Sequence, residues 1–264
     1  MIYGKSGKGR GERNMSKAFF IWTMRRTGGT SLTALLTDIS EFQGVQHEPF
    51  NSDRKLGHFI TMFRQGEEKD IISNKLDELF QSTPLIKHCY ELFGKEFNEL
   101  IVDATSKQEY KHLFLKREDE ISRIISLFLA QQTSVWGPEQ KKQRYDDIIS
   151  GSFKLKPFDI DKMVEHTKWC HNITRFIKDK LTENQKEFKV ISFEEFYVGD
   201  RETRLSNLYN LFDYLEFDVD VREKYKDKIE EKLFKSSQNS KSILEYVPNY
   251  KEALLALENV LSKE

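Results

Sequence analysis

The sequence predicts an α/β fold, in which helices flank a central, mainly parallel sheet in three layers. Short apolar runs of strand length alternate along the chain with longer segments whose apolar residues recur at helical spacing. Two of these runs end in basic turns, at Arg25 and at Arg117, and each turn leads into a helix. Strands that alternate with helical crossovers form parallel sheets, so both turns are expected at one edge of the sheet.

The first predicted strand covers residues 18–22, and a polar turn at residues 25–31 follows it. After the turn, apolar side chains fall at i, i+3, i+4 and i+7, which predicts a helix with Leu32, Leu35, Leu36 and Ile39 on its buried face. Backbone N–H groups at a helix start have no helical partner, and the helix dipole favours negative charge there. A well-capped turn would explain Thr30 or Ser31 alone. It would not explain two arginines and two glycines beside three hydroxyls, so a phosphate or sulfate site is predicted.

The remaining elements follow from the same patterns. A short strand can begin at Val45, and further strands are predicted at 84–90, 112–115 and 188–193. Helices are predicted at 71–80, 121–135, 158–181, 205–215 and 254–261, and Asp119 is expected to cap the second of these. Residues 52–70 are predicted to be a polar linker. Residues 139–157 are charged and poorly periodic, which predicts a mobile segment. This segment and the helix after it are expected to form a helical excursion over the cleft.

Composition excludes several classes of function. The 264 residues carry a net charge of −1, so no global field attracts nucleic acid and any anion site is local. Cys89 and Cys170 are too few for a disulfide framework and indicate free thiols in a reducing compartment. No apolar stretch approaches the roughly 18–20 residues of a membrane helix, and none forms a signal-peptide core. A cytoplasmic protein is therefore expected, with a disordered basic leader at 1–16 and a single domain at 17–264.

Two common nucleotide motifs are missing from the first turn. A triphosphate-binding loop would read GxxxxGK[ST], but Thr30 stands where its lysine should be and Met24 where its first glycine should be. The dinucleotide fingerprint GxGxxG is also absent, which disfavours hydride transfer. His166 and His171 are five residues apart on a predicted helix, a spacing that does not align two metal ligands, so no metal site is predicted.

The pattern that remains resembles the sulfotransferases that use 3′-phosphoadenosine 5′-phosphosulfate (PAPS). Their 5′-phosphosulfate loop follows the first strand with a Pro-Lys/Arg-Ser-Gly-Thr-Thr type run, and residues 25–30 occupy its place. Arg25 replaces the proline and Gly29 the first threonine. The second motif of the family binds the 3′-phosphate with an arginine after a later strand and a serine on the next helix, which Arg117 and Ser126 match.

Three further segments extend this resemblance. The spacing of Arg117, Asp119 and Ser126, followed by Gln132, Thr133 and Trp136, is similar to the bacterial trehalose-type and carbohydrate branch. Residues 192–196 resemble the late strand and acidic turn of the family, and the pair at 249–250 resembles the start of its terminal helix. The resemblance implies a P-loop-like fold and a metal-free sulfuryl transfer to a hydroxyl of a carbohydrate, glycolipid or other small molecule. A homodimer is compatible with it.

The resemblance also implies roles for individual residues. Arg26 would stabilise the bridging oxygen, and Arg117 with Ser126 would bind the 3′-phosphate. The 5′-phosphosulfate would be held by the loop residues Arg25, Arg26, Thr27, Gly28, Gly29, Thr30 and Ser31. Glu48 is the first choice for the base and His47 the second.

Several alternatives stay open at this level. Glu48 could be a surface acid and His47 a packed ring, and Arg117 could pair with Glu118 or Glu120. The residues Gln132, Thr133 and Trp136 could serve the core and the helix end as well as an acceptor. The whole chain could be a nucleotide or small-molecule kinase with a degenerate phosphate loop. It could also be a non-catalytic relative that binds a nucleotide, or a partner through residues 137–180.

Overall fold

The structure, a computed structural model, describes residues 16–42, 44–137, 141–234 and 241–262. Five parallel strands form its central sheet in the order β2-β3-β1-β4-β5. The strands are β1 (Phe19–Thr23), β2 (Val45–His47), β3 (Leu85–Cys89), β4 (Lys111–Lys116) and β5 (Phe188–Ser192). Helices cover both faces of this sheet and make up 61% of the fold, so the predicted α/β architecture is confirmed.

The helices follow the strands in the alternation that the sequence predicts. They are α1 (Gly29–Ile39), α2 (Gly57–Arg64), α3 (Lys69–Gln81), α4 (Lys95–Ser106), α5 (Glu120–Thr133), α6 (Lys141–Ile149), α7 (Ile160–Glu183), α8 (Phe193–Tyr197), α9 (Arg201–Tyr214), α10 (Val221–Lys224), α11 (Lys226–Phe234) and α12 (Tyr250–Leu261). Two 3₁₀ turns lie at Tyr90–Leu92 and Lys241–Tyr246. No helix within the described ranges combines the length and the apolar character that crossing a membrane requires.

The connections of the sheet place a crevice between β1 and β4. These strands are neighbours, in register from Phe19 beside Lys111 to Thr23 beside Leu115. The chain leaves β1 toward the β2 edge and leaves β4 toward the β5 edge. Ligands of open parallel sheets bind at such a reversal, beyond the carboxyl ends of the strands. Both basic turns predicted from the sequence therefore border the same crevice.

The structure corrects the sequence reading at two segments and at one boundary. Residues 52–70, predicted as a linker, contain α2, and residues 139–157, predicted as a mobile segment, contain α6. Ile148 anchors α6 because only 2% of its surface is exposed, in a second core cluster that it shares with α5 and α12. Ser16, assigned to the leader, is buried. Leader residues 1–15 lie outside the described residues.

Candidate anion-binding site

An open cleft of about 1960 Å³ lies at the carboxyl edge of the sheet. The β1–α1 loop (residues 24–28) and the start of α1 form its floor, and the β4–α5 turn (residues 117–119) with α5 forms one wall. Glu48 and Lys87 border it on the side of β2 and β3. Apolar residues near the start of α12 close the opposite side, including Leu244, Val247 and Leu254.

Thr27 stabilises the β1–α1 loop from within. Its buried hydroxyl donates to the carbonyl of Met24 at 2.8 Å and lies 2.6 Å from the hydroxyl of Thr23. The Thr23 hydroxyl in turn donates to the carbonyl of Leu115 on β4, at 3.1 Å. The Thr27 hydroxyl, predicted to bind the ligand, is therefore engaged within the protein. Its hydrogen bonds stabilise the conformation of the loop.

The N-terminus of α1 is open to the cleft. Gly28 precedes it without a side-chain cap, and the first turn contains no acidic residue. Thr30 and Ser31 are exposed, and their hydroxyls make no hydrogen bond to the described part of the chain. Unpaired N–H groups and two available hydroxyls at a helix start suit an anion.

Gly28 in the loop and Gly29 at the start of α1 both pack closely against neighbouring side chains. Gly28 has a left-handed backbone (φ 78°), and a Cβ atom there would lie 2.5 Å from the Phe193 ring. A Cβ atom at Gly29 would lie 2.8 Å from Cδ2 of Leu115. A side chain at position 29 would therefore require the Leu115 side chain on β4 to move. Glycine at this position, where the family that the sequence resembles has a threonine, avoids that rearrangement.

We expect Gly28→Ala to destabilise the fold by about 2–4 kcal/mol, because it combines left-handed backbone strain with a ring clash. Gly66→Ala is the matched control: its φ is 80° and nothing lies within 4 Å of the added atom, so it reports strain alone. The free energies of unfolding from urea titrations give both values. Equal losses for the two variants would show that Phe193 does not constrain the loop.

Arg25 anchors the loop through an interior ion pair. Its backbone N–H and its Nε both donate to Oε1 of Glu91, each at 2.9 Å, and the Glu91 side chain is fully buried. Glu91 follows β3 in the 3₁₀ turn at Tyr90–Leu92. The guanidinium of Arg25, which was predicted to bind the ligand, is thus paired with Glu91, although Arg25 still borders the cleft.

Arg26 crosses the cleft to α5. Its Nε donates to the hydroxyl of Ser126 at 3.0 Å, and its Nη1 donates to the carbonyl of Trp136 at 3.2 Å. No carboxylate among the described residues pairs with it. Burial lowers the pKa of Arg26 below its ordinary value, and the nearby charge of Arg117 adds to this lowering. The structure therefore brings Arg26 of the first predicted motif close to Ser126 and Arg117 of the second.

Like Arg26, Arg117 has no carboxylate partner in the part of the chain that the structure describes. It follows β4, its guanidinium lies over the Phe193 ring at 5.4 Å, and its buried Nε has no hydrogen-bond partner among the described residues. A partly buried guanidinium with unused donors is costly unless an anion reaches it. Arg117 also borders the cleft, so a bound anion could supply the missing partner.

The acids suggested as partners of Arg117 are engaged elsewhere. Glu118 pairs with Lys116 at 2.9 Å, and Glu120 contacts both Arg123 at 3.2 Å and His171 at 2.9 Å. The alternative in which Arg117 pairs with Glu118 or Glu120 is therefore wrong.

The backbone of the β4–α5 turn is already occupied by a carboxylate of the protein. Glu194 on α8 accepts from the N–H groups of Glu118 at 2.9 Å and Asp119 at 3.3 Å. Asp119 caps α5 as predicted, because its side chain accepts from the N–H of Ser122 at 3.0 Å. The turn thus offers a ligand the side chain of Arg117 and not these two N–H groups.

Glu48 lies in the cleft and is bound to a lysine that sequence reasoning missed. Nζ of Lys87 on β3 donates to Glu48 Oε1 at 2.7 Å, and Nδ2 of Asn51 lies 3.5 Å from Oε2. Burial alone would raise the pKa of Glu48, but the charge of Lys87 and hydrogen bonds from Lys87 and Cys89 leave it lowered. A charged residue within the apolar run at 84–90 was the available signal for Lys87.

His47 points to a different environment from Glu48. It ends β2, its buried Nδ1 has no hydrogen-bond partner among the described residues, and it is absent from the lining of the cleft. Burial lowers its pKa, and the charge of Lys87 adds to the effect. Of the two candidate bases, Glu48 is the one that borders the cleft.

The residues that follow Ser126 have mixed roles. Both ends of the Gln132 amide bind the backbone of Lys156, each at 3.0 Å, and Thr133 donates to the carbonyl of Leu129. Trp136 is 49% exposed and borders the cleft beside Arg26. Gln132 and Thr133 therefore serve the fold, whereas the Trp136 ring is available to a ligand.

Comparisons of the chain with protein-family models and with curated proteins return no match.

Proposed function

We propose that the cleft binds PAPS and that the protein transfers the sulfuryl group of PAPS to a hydroxyl of a carbohydrate, glycolipid or other small-molecule acceptor. One observation carries this proposal. Arg26 and Arg117 reach one cleft from two different strand-to-helix turns, and neither has a carboxylate partner in the described part of the chain. Two separate cations that no described carboxylate neutralises suit a ligand with two separate anionic groups.

The open start of α1 supports the first of these anionic positions. Its N–H groups, the hydroxyls of Thr30 and Ser31, and the Arg26 guanidinium can together hold a 5′-phosphosulfate. Arg117 would bind the 3′-phosphate, which ordinary adenine nucleotides lack. Ser126 also borders the cleft and accepts from Arg26, so its own O–H remains available to donate to the sulfuryl donor.

The residues account for each change of bonding in the reaction. The acceptor oxygen forms a bond to sulfur while the bond from sulfur to the bridging oxygen breaks, which leaves adenosine 3′,5′-bisphosphate. Charge develops on that bridging oxygen, where a fixed guanidinium is most effective, and Arg26 would supply it. Glu48 would take the proton of the acceptor hydroxyl. We propose that the arginines provide the positive charge for this step and that no metal is required.

Arg117→Ala is expected to weaken binding of adenosine 3′,5′-bisphosphate by about 1.5–3 kcal/mol, the value of a charged hydrogen bond. Binding of adenosine 5′-monophosphate should change little, since it has no 3′-phosphate for Arg117 to hold. Calorimetry with the two nucleotides measures both affinities. Lys116→Ala is the matched control, because Lys116 is exposed and already pairs with Glu118. Equal losses for both nucleotides would remove Arg117 from the 3′-phosphate site.

The activity itself is tested with sulfur-labelled PAPS. The protein is incubated with the donor and with separate pools of sugars, glycolipids and small hydroxyl compounds, and the labelled product is then identified. Transfer to one of these classes is expected, at a rate that chelation of divalent metals does not change. Absence of transfer to every pool, together with intact binding of the bisphosphate, would favour the non-catalytic relative.

A further inference from the structure

Lys87 is a buried lysine that lies between the candidate base and the anion-binding helix. Its relative exposure is 5%, and its ammonium group donates to Glu48 at 2.7 Å. Its stem passes beside the first residue of α1, since a Cβ atom at Gly29 would lie 3.7 Å from Cδ of Lys87. Lys87 and Glu48 both border the cleft.

The ammonium group of Lys87 can reach an anion at the start of α1. Only one carbon separates its nitrogen from Cδ, which already lies beside Gly29. An ammonium has three donors, and the bond to Glu48 uses one of them. A triphosphate loop would bring its lysine from the loop itself, whereas here Thr30 holds that position and a lysine approaches from β3.

We propose that an anion bound at the start of α1 takes Lys87 from Glu48, so that binding of the donor releases Glu48 to act as the base. This inference rests on the anion site of the proposed function. In the free protein the carboxylate is held by the lysine and is a poor base. In the bound state the negative charge of the ligand compensates the lysine, and Glu48 is left in a half-buried site without its ion pair.

The charged groups around Glu48 support this exchange. Lys87, His88 and Cys89 face Glu48 from β3, and Arg54 and His47 are the titratable neighbours on its own segment. The start of α1 contributes no titratable side chain there. Burial raises the pKa of Glu48, and the charge of Lys87 is the largest influence that lowers it. Loss of that influence therefore leaves burial to dominate and raises the pKa.

The exchange couples anion binding to proton uptake. A ligand that raises the pKa of Glu48 binds the protonated form of the protein more tightly, so its affinity must increase as the pH falls. Each unit of pKa increase corresponds to about a tenfold gain in affinity between high and low pH. Inorganic sulfate is a suitable probe, because it stays a dianion over this range while a nucleotide phosphate titrates near about pH 6.

The test is calorimetry of inorganic sulfate binding between about pH 8 and about pH 5, a range that lies above the ordinary pKa of glutamate. For the unaltered protein, affinity should increase severalfold across this range. Glu48→Gln should bind sulfate more tightly than the unaltered protein at high pH and should lose the pH dependence, since Lys87 is then free. Lys87→Met should bind sulfate weakly at every pH. Asp53→Asn, an exposed acid nearby, is the control and should behave as the unaltered protein.

Three results would overturn the inference. The first is sulfate binding that does not depend on pH, or no sulfate binding at all. The second is a pH dependence that persists in Glu48→Gln, which would assign the proton to a neighbouring histidine, His47 or His88. The third comes from carboxyl carbon NMR of the unaltered protein: an unchanged Glu48 pKa when sulfate is added. These measurements use neither a nucleotide nor turnover, so failure of the proposed sulfuryl transfer would appear separately.

Discussion

Arg26→Ala should reduce sulfuryl transfer by at least about 10²–10³-fold, the cost of removing one preorganised donor from a developing anion. The loss should appear in kcat, because Arg26 acts mainly on charge that develops as the bond to sulfur breaks. Binding of adenosine 3′,5′-bisphosphate should weaken only partly, since the N–H groups of α1 and Arg117 remain. Single-turnover kinetics with labelled donor and calorimetry with the product give the two values.

Two variants make the Arg26 result specific. Lys251 borders the same cleft, is exposed and lies on α12, away from Glu48 in the chain, so Lys251→Ala tests a change of local charge alone. Its transfer rate should stay within a fewfold of the unaltered protein. Arg26→Lys retains the charge but not both donor directions, and should recover part of the rate. A normal transfer rate in Arg26→Ala would exclude Arg26 from the chemical step.

Glu48→Gln is expected to lower turnover by about 10²–10⁴-fold, the usual contribution of a positioned general base. Glutamine keeps the size of the side chain and its contact with Asn51, but it cannot accept the acceptor proton. Affinity for the donor should be retained or increased, because Lys87 no longer pairs with a carboxylate. Initial rates and bisphosphate binding measured on the same preparation separate the two effects.

His47→Gln is the matched control for Glu48. The His47 ring does not border the cleft, so its replacement should leave turnover within a fewfold of normal. A large loss in His47→Gln together with normal turnover in Glu48→Gln would exchange the roles of the two residues.

Four strands of this fold, β1, β3, β4 and β5, could be predicted because each contains a short apolar run near polar or glycine-bearing turns, whereas β2 offered only Val45 after Gly44. Helices α5 and α7 could also be predicted, since their apolar residues recur at helical spacing over 14 and 24 residues. Helices α2 and α6 were missed because they span 8 and 9 residues. Helices of that length are marginal alone and depend on tertiary contacts, as with Ile148 of α6.

Within the site, the sequence identified residue types better than orientations. Arg26, Arg117, Ser126 and Glu48 all border the cleft. The resemblance assigned the bridging oxygen to Arg26, but the partner of the adjacent Arg25 could not be predicted, because a turn has no repeating side-chain direction. That partner is Glu91, which lies 66 residues later in the chain. The roles of Thr27 and Lys87 likewise depend on the neighbouring strands β4 and β3.

Calorimetry with adenosine 3′,5′-bisphosphate and with ATP, each with and without Mg²⁺, tests the central claim most directly. The bisphosphate carries both anionic groups that Arg26 and Arg117 are proposed to hold, whereas ATP lacks the 3′-phosphate. We expect the bisphosphate to bind without Mg²⁺ and more tightly than ATP under either condition. Tighter binding of ATP in the presence of Mg²⁺ would contradict the account and favour a kinase with a degenerate phosphate loop.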